Sequence, residues 1–256
     1  MIDALVFDFD GVILDTETPD YQTWQEVFQS HGVVLELSVW TQHIGGRSGR
    51  FDWHGHLEEL VGISIDREST QLERRQRYLE IIRASPVLPG ILDYIQDAKR
   101  LGMSLGVASS SSREWVEGHL SRLDILNLFD SIRGSDDVVQ VKPDPELYLA
   151  SVSHMGTQPQ RALAIEDSAH GVTAAKSAGL FCLAVPNPMT KALPLDHADL
   201  RLASLAEMPL QPLLQRLMPG RYPSPQSSLI EGALLQKSLK GREQMSFPSS
   251  LRRKPE

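Results

Sequence analysis

Asp8 and Asp10 stand two positions apart just after the apolar run Leu5, Val6 and Phe7, and Gly11 follows them. Like charges this close repel unless a cation or a proton holds them, so the pair points to metal binding or acid/base chemistry. A second acidic pair, Glu166 and Asp167, closes the apolar run from Ala162 to Ile165, while Ser109 closes the run from Leu105 to Ala108. Lys142 lies on the connection between those two runs, directly before Pro143, Asp144 and Pro145. Four carboxylates gathered in one place require a hard cation, and an oxygen donor set without Cys or His favours Mg²⁺ over zinc. A phosphate fits beside such a metal. Its oxygens would be neutralised by Ser109, Lys142 and the backbone N–H groups after Asp8, with Gly11 and Ser110 as further contacts.

These residues can converge only if the strands that carry them finish at one edge of a sheet, as parallel strands do. The apolar runs predict strands over residues 3–8, 104–108, 131–134, 161–165 and 181–185, without polar alternation, as for strands buried on both faces. Helical spacing falls between them. Thr18 and Pro19 read as N-cap and first position of a helix that presents Tyr21, Trp24, Val27 and Phe28 and stops at Gly32. Helical patterning continues to Ser85 with no convincing strand, and the pattern changes at the Pro86 to Gly90 turn. Ser111 and Glu114 form a candidate capping box for the helix carrying Trp115, Val116 and Leu120. Asp144 and Pro145 open another helix, and Ser168 to Ala178 form the last before the fifth strand. The expected fold is α/β, a doubly wound, Rossmann-like parallel sheet of five core strands with a helical cap inserted after the first. The core takes residues 1–16 and 86–218, the cap 17–85, and a mobile tail 219–256.

Composition limits the partners. The net charge of −8 disfavours a general binder of nucleic acid or of an anionic membrane. The segment 219–256 holds seven Lys or Arg against three Glu, so the basic charge is gathered in the tail. The one cysteine, Cys182, excludes an intrachain disulfide. Asp3, Asp8 and Asp10 stand where a signal peptide would need basic and then uninterrupted apolar residues, and no stretch approaches a membrane span. A cytoplasmic monomer acting on a small phosphate monoester is the expectation.

The four clusters carry a resemblance. Residues 8–12 (DFDGV), 108–111 (ASSS), 141–145 (VKPDP) and 165–168 (IEDS) resemble, in order, the four motifs of the haloacid dehalogenase superfamily, in the branch of β-phosphoglucomutase and phosphoglycolate-type phosphatases. The likeness covers about residues 1–218. It implies that Asp8 is the nucleophile, forming an aspartyl-phosphate, and that Asp10 protonates the leaving oxygen and then activates water. It implies Mg²⁺ on Asp8, on the backbone carbonyl of Asp10 and on Asp167, with Glu166 acting directly or through water. Ser109 and Lys142 would hold the phosphoryl oxygens. Asp10 favours phosphoryl transfer over dehalogenation, which needs neither that acid nor the metal.

Substrate choice is expected in the cap, where Arg47 or Arg50 could meet a second anionic group. His54 and His56 are at most a weak metal pair, with no third ligand nearby. A phosphomutase is the enzyme alternative, although Asp20 stands where β-phosphoglucomutases carry a histidine. An idle phosphate-binding regulatory domain is the other alternative, and it leaves the full set of nucleophile, acid, metal ligands and lysine unexplained. Neither glycine pattern for nicotinamide or ATP binding follows the first strand.

Overall fold

The computed structural model describes residues 1–43 and 51–222. Strands β1 (Ala4–Phe7), β2 (Ser104–Ala108), β3 (Ser131–Arg133), β4 (Ala162–Glu166), β5 (Phe181–Ala184) and β6 (Leu200–Arg201) form one sheet in the order β3-β2-β1-β4-β5-β6. Every pairing is parallel. All residues of β1 and β4 are buried, because helices cover the sheet and a continuous apolar run is what such a strand requires. The five expected strands are present. The sixth, two residues long, pairs with the end of β5 and is too short to leave an apolar run in the sequence.

Between β1 and the next helix of the sheet region, α5 (Ile91–Arg100), the chain forms α1 (Glu17–Ser30), α2 (Leu37–Thr41), α3 (Trp53–Val61) and α4 (Arg67–Ala84). No strand occurs there among the described residues. These helices have a core of their own, in which Trp24, Phe28, Leu35, Trp40 and Leu57 gather with Met189 from beyond β5. His54 and His56 serve this packing, with ring centroids 4.9 Å from Trp24 and 5.9 Å from Phe28. Asp20 on α1 is tied to Arg74 on α4 at 2.5 Å. The two ends of the insertion meet, because the Leu88 N–H donates to the Ile13 carbonyl at 2.9 Å.

The remaining helices are α6 (Arg113–Arg122), α7 (Glu146–His154), α8 (Ala169–Ser177) and α9 (Leu210–Leu217). Two helix starts differ from the sequence expectation. α1 begins at Glu17, ahead of Thr18, because the Asp15 carboxylate accepts the Thr18 N–H at 3.0 Å and satisfies the first turn from outside. α6 is capped by Ser112, whose hydroxyl accepts the Trp115 N–H at 3.3 Å, which releases Ser111 for another partner. Residues 211–222 belong to a second compact unit containing most of α9. Arg47, Arg50 and the tail beyond Tyr222 lie outside the described residues. Among the described residues no helix is long and apolar enough to cross a membrane.

Candidate active site

Register places the acids. Phe7 pairs with Ile165 across β1 and β4, so the next residue on each strand, Asp8 and Glu166, emerge side by side. The Asp8 N–H continues the ladder to the Ile165 carbonyl at 2.9 Å. Strand order reverses at β1, with β2 on one side and β4 on the other, which is where an open α/β sheet forms its ligand crevice. Ligand oxygens of Asp8, Glu166 and Asp167 lie within 4.8 Å of one another, and all three residues are buried.

Lys142 is the cation that reaches this cluster. Its Nζ lies 2.8 Å from Asp8 Oδ1 and 2.5 Å from Glu166 Oε1. Burial alone would lower the ammonium's pKa, but the Asp8 and Glu166 carboxylates outweigh it and hold the group above its ordinary range. Tyr148 on α7 donates its hydroxyl to the same Glu166 oxygen at 2.6 Å. Burial, then the Glu166 charge, keep the phenol protonated well above its usual pKa. The other Glu166 oxygen accepts the Asp167 N–H at 3.2 Å, with the Ser168 N–H and hydroxyl at 3.4 and 3.3 Å. Glu166 is therefore saturated by protein donors.

Asp8 and Asp167 are not. Asp8 Oδ1 accepts the Phe9 N–H at 2.8 Å as well as Lys142, while Oδ2 accepts nothing from the described residues. Asp167 Oδ2 accepts from Asn187 Nδ2 at 2.7 Å and the Thr190 hydroxyl at 3.4 Å, while its Oδ1 is likewise left open. Burial, followed by the Glu166 charge, pushes the Asp8 carboxyl up to about 8. Burial, then Asp8 and Glu166, raise Asp167 well above the carboxylate range. One ammonium cannot balance three buried carboxylates. The open oxygens and the excess negative charge fit a hard divalent cation held by oxygen donors.

Two glycines make the cluster possible. Gly11 turns with φ +79°, and a Cβ there would lie 2.4 Å from Asp167 Oδ2. Its N–H donates to the Leu14 carbonyl at 2.7 Å. Gly171, in the first turn of α8, lets the helix close over Glu166, since a Cβ would fall 1.9 Å from that carboxyl carbon. Gly171→Ala is expected to displace Glu166 and, through it, Lys142. The outcome is a loss of about 2–3 kcal/mol in chemical denaturation together with a fall in activity of tenfold or more.

Asp10 faces another way. Its Oδ2 accepts the hydroxyls of Ser109 at 3.1 Å and Ser111 at 2.7 Å, and its Oδ1 accepts the Trp115 indole N–H at 3.2 Å. Its side chain is outside the three-carboxylate cluster. Ser109 is fully buried and also accepts the Ser111 N–H at 3.0 Å. Ser110 is exposed on the crevice wall. The crevice measures about 1580 Å³, and Trp40, Phe51, Trp53, Tyr78 and Trp115 give it an aromatic side. Glu17, at the start of α1, also lines it, and burial, then Asp20, Asp10, Asp15 and Asp8, push its carboxyl up to about 8.

Tyr148, Asn187, Thr190, Ser111 and Glu17 were not singled out as site residues by the sequence. Asn187 and Thr190 had a signal. They follow the end of β5, so the strand-end rule that selects Asp167 applies to them equally.

The family model for haloacid dehalogenase-like hydrolases matches residues 5–185. The chain is 46% identical over 217 residues to the Bacillus subtilis protein named "Putative phosphatase YhcW", covering 85% of this chain and 98% of the relative. It is 30% identical over 208 residues to validoxylamine A 7'-phosphate phosphatase of Streptomyces hygroscopicus subsp. limoneus, covering 81% and 96%. The crystal structure of Rhodobacter sphaeroides CbbY in complex with xylulose-(1,5)bisphosphate superposes with a TM-score of 0.63 at 27% identity, covering 81% of this chain and 96% of that one. With the four motifs meeting at the carboxyl edge of the sheet, this chain belongs to the haloacid dehalogenase-like hydrolases, as a phosphoric monoester hydrolase.

Proposed function

We propose that the protein is a Mg²⁺-dependent phosphatase of a small phosphorylated sugar or polyol, working through an aspartyl-phosphate on Asp8. The observation that carries this reading is the pairing of Asp8, whose Oδ2 is open, with Lys142 at 2.8 Å inside the buried acidic cluster. An open carboxylate oxygen beside an ammonium is a nucleophile next to a holder for the phosphoryl group. A relative named as a validoxylamine A 7'-phosphate phosphatase, and a neighbour complexed with xylulose-(1,5)bisphosphate, support the substrate class.

In the first half-reaction Asp8 Oδ2 bonds to phosphorus as the bond to the leaving oxygen breaks, and Asp10 delivers its proton to that oxygen. In the second, water attacks phosphorus, Asp10 takes the water's proton, and the Asp8–phosphate bond breaks to release inorganic phosphate. Lys142 and Ser109 hold the phosphoryl oxygens throughout. A Mg²⁺ on Asp8, the Asp10 carbonyl and Asp167 would neutralise phosphoryl charge when bound. Glu166, saturated by Lys142, Tyr148 and the start of α8, orients the lysine. The helices of residues 17–85 act as the cap. Asp20, tied to Arg74, weighs against the phosphomutase alternative.

The test is a screen of phosphorylated metabolites ranked by kcat/KM, with product analysis on β-glucose 1-phosphate. Steady release of inorganic phosphate supports the phosphatase, and glucose 6-phosphate without phosphate release overturns it in favour of the mutase.

Metal dependence also has a pH signature. A carboxyl raised to about 8, as Asp8 is, keeps its proton in the folded state where the unfolded chain has already lost it. Metal-free stability should therefore fall as pH rises from about 4 to about 8. A divalent cation binds the ionised carboxylates, so its stabilisation grows across the same window. Differential scanning fluorimetry should show a larger gain in Tm from millimolar Mg²⁺ at about pH 8 than at about pH 5.5.

A further inference from the structure

We propose that Trp115 is a positioning residue for Asp10, orienting its carboxyl for proton transfer and held in place from the insertion by Tyr78 and Arg75. The inference rests on the phosphatase reading and on the role of Asp10 within it.

The two oxygens of Asp10 are held differently. Oδ2 accepts two serine hydroxyls from the segment after β2, at 3.1 and 2.7 Å. Oδ1 has the indole N–H of Trp115, at 3.2 Å, as its partner among the described residues. A hydroxyl can rotate to donate or accept, but an indole N–H can only donate. Trp115 therefore keeps Oδ1 an acceptor and leaves Oδ2 as the oxygen able to carry the proton that the leaving group needs. It also fixes the plane of the carboxyl, because one contact on each oxygen stops rotation about the last side-chain bond.

The indole is itself clamped. The His119 ring meets it edge-on at 4.2 Å within α6. Tyr78, buried on α4 of the insertion, stacks on it with centroids 6.2 Å apart and planes 14° from parallel. The Arg75 guanidinium lies 5.3 Å from the centroids of both rings, which adds cation–π attraction across the same contact. A chain of direct contacts thus runs from α4 through Tyr78 and Trp115 to Asp10. The orientation of the acid is thereby linked to the seating of the insertion on the sheet region.

The experiment compares kcat/KM for a sugar monophosphate that the wild-type protein hydrolyses with that for p-nitrophenyl phosphate. This parameter stops at loss of the leaving group. A sugar alkoxide must be protonated as it leaves, whereas p-nitrophenolate leaves without a proton, so the alkyl-to-aryl ratio reads the acid. Trp115→Phe keeps a ring against Tyr78 but removes the donor, and the ratio is expected to fall about tenfold or more. Tyr78→Leu keeps the donor but loosens the clamp, and a fall of about threefold is expected; this variant carries the test if Trp115→Phe does not fold. A ratio unchanged in both variants, or a parallel fall on both substrates, overturns the proposal. Asp10→Asn separates the two levels of inference. If it lowers the ratio and the Trp115 and Tyr78 variants do not, the positioning role alone fails. If the wild-type protein releases no phosphate from any substrate, the phosphatase reading fails first.

Discussion

Asp8→Asn abolishes steady-state phosphate release, by a factor of about 10⁴ or more, and at the same time makes the metal-free protein more stable. The first half follows from chemistry, since an amide oxygen does not attack phosphorus to give an aspartyl-phosphate. The second half follows from the site's electrostatics. Asp8 is buried among Glu166 and Asp167 with a single ammonium to share, and its carboxyl is pushed up to about 8. Asn removes that charge and keeps an acceptor for Lys142. The expected gain near pH 7.5 is about 1–2 kcal/mol, shrinking as pH falls toward about 4, where the carboxyl stays protonated in the folded chain and begins to be protonated in the unfolded one. Urea unfolding at the two pH values checks it, beside a phosphate-release assay. A variant that loses activity but is destabilised would show Asp8 to be a structural group.

Lys142→Met moves stability the other way. Lys142 is buried and touches both Asp8 and Glu166. A methionine fills much of the same space and leaves the two carboxylates without their cation. Removing one partner from a buried ionic cluster costs about 3–5 kcal/mol, because the other partners remain desolvated. The loss should be greatest above about pH 8 and smaller near pH 5, where Asp8 can hold a proton instead. Activity should fall by about 10²–10³-fold through loss of a phosphoryl-oxygen donor. Millimolar Mg²⁺ is expected to restore part of the stability and none of the activity, which separates the lysine's charge balance from its part in catalysis.

The sheet was legible because strands buried on both faces leave uninterrupted apolar runs, and β1, β2, β4 and β5 all do. The pair at Leu200 and Arg201 left no such trace. α1 starts two residues ahead of the position that Thr18 and Pro19 suggest by their likeness to a cap, because the acceptor in the structure is Asp15. The acidic cluster was legible from strand ends, since parallel register converts a sequence position into a place. The roles of Trp115 and Tyr148 were hidden by their own chemistry. Each reads as an apolar helix residue, while its polar tip reaches Asp10 or Glu166. Ser111 resembles a helix cap in the sequence, but Ser112 provides it. Gly171 contributes by having no side chain, which periodicity does not register. Arg47 and Arg50 lie outside the described residues.

The hydrogen bond from the Leu88 N–H to the Ile13 carbonyl brings the entry and the exit of the insertion to one point beside β1. The length of chain between them is therefore decoupled from the register of the strands, and about 70 residues can be exchanged or resized there without asking any strand to shift. The insertion can thus vary while the carboxylates and Lys142 stay where the sheet sets them. For the bench, the same point marks where the insertion of one relative could be transplanted into another.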